Sequence, residues 1–430
     1  MNRFLLARPD AVLRAEGVRA SYPDPSAAVA VLREWTASSG PVADASPADP
    51  GRAQTPGGPP RDTSSAKQAG SARDEPAPHD RQAGSMRADR GAHGRAPAST
   101  RAPKLIVGAL PFDPHEPAAL WQPETALHTA GPWRPAALPE LPAVRVVAEL
   151  PSAAEHVARV TKLVEQLGDP VNPLGKVVAA RSMLIEADAP LEPETVAAHL
   201  LTRHPNAAVY SVDLSAAGRS GETLIGATPE VLVARHGTRV SLHPLAGTLP
   251  RLTDPDADAA QARELLSSTK NHAEHAFVID WIRERLGPVC TELHVPAAPE
   301  LMSTEQVWHL ATPIHGVLRD PSTTALELAL LLHPTPAVNG TPFAAALAAI
   351  TTDEPRRGFY GGAVGWCDGH GDGEWVVAIR GAELSADRRS LRASAGGGIV
   401  AASDPAAELA ETTAKFRTLL GALRCAVPED

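Results

Sequence analysis

Four short strand-like segments follow one another at residues 207–214, 222–226, 231–236 and 239–243, with only turns between them. A chain with many short alternating strands, helices interspersed and few clean βαβ units reads as α+β. Further strands are expected at 4–7, 12–15, 104–110, 144–147 and 175–181. Helices are expected at 27–35, at 192–203 and over a long stretch, 257–286. Residues 152–167 form an amphipathic helix opened by Ser152 with Glu155 three positions on, the reciprocal capping pattern.

Composition changes sharply from 40 to 102, where Pro, Gly, Ala, Ser and mixed charge leave almost no large apolar side chain. Such a stretch buries too little surface to offset its ordering entropy, so it is expected to be a disordered insertion. It divides an N-terminal part, 1–39, from the main body, 103–425. The whole chain has 430 residues, 43% of them hydrophobic, which is ample for a large core. Its formal charge of −10 argues against a general nucleic-acid binder, which needs a basic face. An anionic small molecule remains compatible, because a site can be locally positive. Cys290, Cys367 and Cys425 are scattered without CxxC pairing, which points to a reducing compartment and no structural zinc. No apolar run has the length of a membrane span and the N-terminus lacks a secretory pattern, so a cytoplasmic protein without membrane association is expected.

The C-terminal part carries the chemistry-bearing residues. Residues 375–384 read as one strand with Arg380 in its middle. Residues 390–395 read as a second strand that meets a turn at Gly396, Gly397 and Gly398. Three glycines allow close approach of the backbone, and their N–H groups suit an anion. Ser403-Asp404-Pro405 then opens a helix on which Glu408, Glu411 and Lys415 share one face. Hard carboxylate oxygens suit Mg2+, although an ordinary solvated helix face has the same pattern. Lys176, opening an apolar strand, reads either as a strand-end lysine reaching for water or as a buried functional amine. His272, Glu274 and His275 do not make HExxH, which disfavours a zinc protease. The two histidines have a spacing that suits a metal, and equally a polar helix face.

Several blocks resemble the chorismate-utilising enzymes, most closely the isochorismate synthases of siderophore pathways. They are VGALPFDP at 107–114, KVVAAR at 176–181, IGATPE at 225–230, PLAGT at 244–248, HLATP at 309–313, LLHPTPAVNG at 331–340, GGAVGWCDGHGDGEWVVAIR at 361–380, GGGIV at 396–400 and the helix bearing Glu408, Glu411 and Lys415. Together they cover about 104–424 in the family's order. The resemblance implies one large domain with an antiparallel β-sandwich core surrounded by helices, acting as a monomer. It implies chorismate as substrate and isochorismate as product. Lys176 would be the base that activates water, and Glu230 the acid that protonates the leaving hydroxyl. Glu274 and Glu411, with Glu408 close by, would hold Mg2+. Arg380 would bind the enolpyruvyl carboxylate. Ala246, Gly247, Thr248, His309, Thr335, Tyr360, Ile379, Gly396, Gly397, Gly398 and Lys415 would complete the substrate site. These roles require a neutral Lys176 and a protonated Glu230, so both positions are expected to be desolvated.

Two positions discriminate within the family. Ala246 stands where aminodeoxychorismate synthases tend to carry a nucleophilic lysine, which argues against that activity. Tyr360 is the residue salicylate synthases have, whereas Ile379 is like the isochorismate synthases. A salicylate synthase, which goes on to eliminate pyruvate, is therefore the first alternative. An inactive homologue whose insertion binds a partner is the second. Nothing resembles a glutaminase.

Overall fold

Strand pairing in the computed structural model, which describes residues 2–39, 102–136 and 138–426, is antiparallel throughout two large sheets. The insertion expected at 40–102 lies, but for Ala102, outside the described residues. In the ten-stranded sheet, Lys176–Ala187 is paired along one edge with Ser390–Ile399. Its other edge is covered at the start by Gly340–Thr341 and at the end by Val144–Leu150. From Ser390–Ile399 the sheet continues through Gly381–Leu384, Thr223–Thr228, Ala208–Asp213, Arg3–Ala7 and Ala11–Glu16 to Thr125–Ala130. The nine-stranded sheet runs from Cys290–His294 through Ile314–Leu318, Arg239–His243, Val231–His236, Gly373–Val377, Ala363–Asp368, Leu105–Leu110 and Ala119–Gln122 to Ala20–Ser21. A three-stranded sheet places Val307–Ala311 between Leu245–Pro250 and Glu300–Ser303.

Period-two alternation gives each large sheet two apolar faces. The inner faces meet in one cluster, with Phe4, Leu6, Tyr210 and Val212 from the first sheet against Val107, Trp121, Val364 and Val376 from the second. Burying each large side chain of this kind contributes about 1.5–3 kcal/mol. The outer face of the first sheet packs Ile185, Leu391 and Ala393 against Val196 and Leu200 of helix Pro193–Arg203 and Phe416 and Leu419 of helix Pro405–Ala422. On the second sheet, Leu232, Leu242 and Ile314 pack against helices Thr269–Leu286 and Ala325–Leu332. The architecture is the α+β sandwich wrapped by helices that the sequence led us to expect, and the N-terminal strands are built into its first sheet.

Three local expectations need correction, and all three bear on the site. Residues 257–286 form two helices, Pro255–Ser267 and Thr269–Leu286. Ser268 breaks the run because its extended backbone lets its side chain accept from the N–H of Asn271, capping a new helix. Residues 375–384 are not one strand either. Gly373–Val377 belongs to the nine-stranded sheet and Gly381–Leu384 to the ten-stranded one, so Arg380 sits where the chain crosses between layers. Its φ is +56°, a left-handed conformation that costs a non-glycine residue of order 1–3 kcal/mol. Finally, Gly396, Gly397 and Gly398 lie inside Ser390–Ile399, opposite Ala180, Ala179 and Val178, rather than in a turn.

Candidate active site

The three glycines are explained by what stands over them. A Cβ on Gly398 would fall 2.0 Å from Oε1 of Glu274 and 2.7 Å from Cε of Lys176. One on Gly397 would fall 2.8 Å from Oε2 of Glu408, and one on Gly396 2.9 Å from the hydroxyl of Tyr360. The strand is stripped of side chains so that charged groups from two helices and a neighbouring strand can close over it.

Above this floor is a cavity of about 580 Å3, counting the solvent at its mouth. Of the residues expected at the site, Glu230, Ala246, Gly247, Thr248, Glu274, His309, Tyr360, Ile379, Arg380, Gly396, Gly398 and Lys415 line it. Lys176, Gly397, Glu408 and Glu411 are not among the lining residues. Thr335 is buried and accepts the N–H groups of Ala337, Val338 and Asn339, so it shapes the turn that presents Ala337 and Val338 to the cavity. Val178, Leu245, Ala337, Val338, Ser394 and Ala395 also line the cavity and were missed. Alternation along two strands was the available signal for Val178, two residues from Lys176, and for Ser394, two from Gly396. For Ala337 and Val338, in an irregular turn, there was none.

Arg380 is 6% exposed, and its Nη2 donates to Nε2 of His309 at 3.1 Å. A guanidinium can only donate, so Nε2 carries no proton and Nδ1 donates to Oγ1 of Thr248 at 2.9 Å. Burial and the adjacent Arg380 charge hold His309 well below its ordinary pKa, so the ring is neutral. Burial lowers Arg380 itself to about 10, which leaves it cationic at neutral pH. Its Nη1 is buried without a hydrogen-bond partner. A buried, charged donor left free is costly, and Arg380 is one of the residues that line the cavity.

Glu230 is held through its backbone, its N–H donating to Thr228 Oγ1 and its carbonyl accepting from Val377 N–H. Its carboxyl is buried, with one N–H, that of Leu245, reaching it at 3.5 Å. Burial pushes it up to about 7. Lys176 is fully buried at the start of its strand, with Nζ 3.2 Å from Oε1 of Glu274. Burial works to raise the Glu274 carboxyl, but Lys176, Lys270 and Lys415 outweigh it and hold that group below the usual range. Lys415 bridges Glu411 and the carbonyl of Gly396. Lys270 bonds Oε1 of Glu408 at 2.8 Å and lies 3.8 Å from Glu274. Burial and the neighbouring Glu411 raise Glu408 to about 7, and its Oε2 is buried without a partner. Burial also pushes the Tyr360 phenol up to about 12, so it stays protonated.

Lysines are interleaved with these carboxylates. Among the described residues no three His, Cys, Asp or Glu side chains already converge as a coordination set. His275 bonds the Ala246 carbonyl and Thr312 Oγ1, and His272 bonds the Leu266 carbonyl, so this pair serves packing. Among the described residues no helix is long and apolar enough to cross a membrane.

Residues 116–424 match the family described as chorismate binding enzyme. A Mycobacterium tuberculosis protein that carries the name MenF is 52% identical over 326 residues, 74% of this chain and 86% of that protein. Isochorismate synthase DhbC of Bacillus subtilis is 43% identical over 325 residues, 74% of this chain and 80% of that one. The crystal structure of a DhbC protein from Bacillus anthracis superposes with a TM-score of 0.76 at 32% identity, covering 98% of this chain and 96% of the other.

Proposed function

This chain belongs to the chorismate-binding enzyme family, and on that premise we propose that it converts chorismate to isochorismate. The observation that carries the reading is a buried carboxyl poised near neutrality, Glu230, in the same cavity as a free buried guanidinium nitrogen on Arg380. Chorismate has two carboxylates and a hydroxyl at C4. Its isomerisation places a water oxygen at C2 and expels the C4 hydroxyl as the ring double bonds shift. Water is a poor nucleophile and hydroxide a poor leaving group, so a base and an acid are both needed.

Glu230 is the acid. A carboxyl raised to about 7 is still substantially protonated at neutral pH, and it gives its proton to the departing C4 oxygen. Lys176 is the base, taking a proton from the attacking water. Arg380 grips the enolpyruvyl carboxylate through Nη1, with neutral His309 fixing the fork by accepting from Nη2. Thr248 accepts from Nδ1 of His309 and holds the ring in place. Lys415, Gly396 and Gly398 bound the ring. Ala246 offers no nucleophile, which leaves water as the attacking group.

The acidic side chains fit a divalent cation. Glu274, Glu408 and Glu411 are buried, their oxygens are hard donors, and Oε2 of Glu408 has no partner. Glu274 and Glu411, with Glu408 close by, would hold Mg2+. When bound, Mg2+ supplies positive charge for the ring carboxylate of the substrate.

In this reading the catalytic unit is 103–425 with 1–39 contributing strands, and it works as a monomer without a glutaminase, since water replaces ammonia. The free thiols of Cys290, Cys367 and Cys425 suit a reducing cytoplasm. Turnover in oxygen-18 water tests the chemistry. Label at C2 of the product supports water addition, and an unlabelled C2 oxygen contradicts it.

A further inference from the structure

Behind Arg380 lies a side chain for which the proposed chemistry has no role. Tyr210, Gly226 and Gly381 stand opposite one another on three neighbouring strands of the ten-stranded sheet. Tyr210 is fully buried, and its hydroxyl occupies space that a side chain on either glycine would fill. A Cβ on Gly226 would fall 2.3 Å from that hydroxyl, and one on Gly381 2.7 Å. Reaching across both positions, the hydroxyl donates to the carbonyl of Ile379 at 3.0 Å.

That carbonyl belongs to the peptide leading into Arg380. The peptide leaving Arg380 is held too, its carbonyl accepting from Ala227 N–H at 3.2 Å. Two hydrogen bonds thus clamp the peptides on either side of a residue at φ +56°, at the point where the chain passes from one sheet to the other. A left-handed non-glycine residue persists only when its surroundings over-determine it. One clamp is ordinary backbone pairing. The other depends on a single phenol and on two glycines that make room for it.

We propose that Tyr210 is a positioning residue for substrate binding. Through Ile379 it holds Arg380 in the conformation that presents Nη1 to a substrate carboxylate. The inference rests on the reading of Arg380 as the carboxylate anchor. Phenylalanine at 210 fills the same space but leaves the Ile379 carbonyl unpaired, so the crossover relaxes and the guanidinium loses its aim.

Tyr210→Phe, Arg380→Lys and the double variant are compared by steady-state kinetics with chorismate and Mg2+, and by calorimetric chorismate binding. Tyr210→Phe is expected to raise KM and Kd about tenfold with kcat within about threefold. The double variant is expected to bind no worse than Arg380→Lys alone, because the phenol acts only through the arginine. Unchanged KM and Kd in Tyr210→Phe, or losses that multiply in the double variant, overturn the proposal. If Tyr210→Phe fails to fold, Tyr210→Leu, which also removes the hydroxyl and leaves both glycines in place, is read in the same way. Binding without turnover by the wild-type protein would sink the functional reading and still leave this comparison measurable, whereas absence of binding would sink both.

Discussion

Nζ of Lys176 lies 3.2 Å from Oε1 of Glu274, and both groups occupy space above Gly398 that no other residue type would leave open. The pair joins a strand of the first sheet to a helix that packs on the second. It fixes the proposed base against one of the proposed metal ligands.

Gly398→Ala puts a methyl group 2.0 Å from Glu274 Oε1, so the carboxylate and the lysine must both move. The expected result is at least a hundredfold loss of kcat, together with weaker Mg2+ binding by calorimetry. Wild-type activity in this variant would show that the pair is not placed as described.

Lys176→Met and Glu230→Gln each remove one proton-transfer group. A loss of about a hundredfold to ten-thousandfold in kcat is expected for either, with KM for chorismate changed far less. The double variant should be little worse than the worse single one if the groups serve one step.

The pH profile follows from Glu230. The acid must be protonated, so kcat is expected to fall as pH rises through about 7, and Glu230→Gln should remove that limb from the residual rate. Stability has the same sign. A carboxyl with a raised folded pKa stabilises the fold fully below its unfolded value and loses that contribution as pH rises through the folded one. Melting curves should therefore show Glu230→Gln gaining on the wild type between pH 5 and 8, buffers being matched for ionic strength.

Chelation should abolish turnover, and Mg2+ should restore it. Adding Mg2+ to chelated protein should also raise the melting temperature by mass action. Glu411→Gln and Glu274→Gln should each remove that shift. A shift of equal size in both variants would place the metal elsewhere.

Tyr360→Phe tests the position that departs toward salicylate synthases. The phenol stays protonated and sits over Gly396. Isochorismate is expected to remain the product of both forms, with kcat/KM changed less than about tenfold.

The sequence was most legible where one local rule acts alone. The Ser152–Glu155 capping box is present as read, and the strand expected at 175–181 is present but longer, Lys176–Ala187. It was misread where tertiary demands override propensity. At 375–384 a continuous β-like run hides a switch of sheets, because the left-handed turn at Arg380 is imposed by contacts from Tyr210 and Ala227, far away in the chain. At 396–398 glycines that look like a turn are strand residues, small because Lys176, Glu274, Glu408 and Tyr360 need the space. At 257–286 the helical pattern does run on, but Ser268 caps a new helix and swings Lys270 and Glu274 toward the site. In each case the cause is a side chain distant in sequence or a competing backbone hydrogen bond, which periodicity does not register.

The most direct measurement of the central claim is product analysis. Purified protein is incubated with chorismate and Mg2+, the products are separated by chromatography, and pyruvate is assayed in parallel. The account predicts isochorismate without matching pyruvate. Salicylate with stoichiometric pyruvate would contradict it and would make Tyr360 a better guide to the chemistry than the rest of the site.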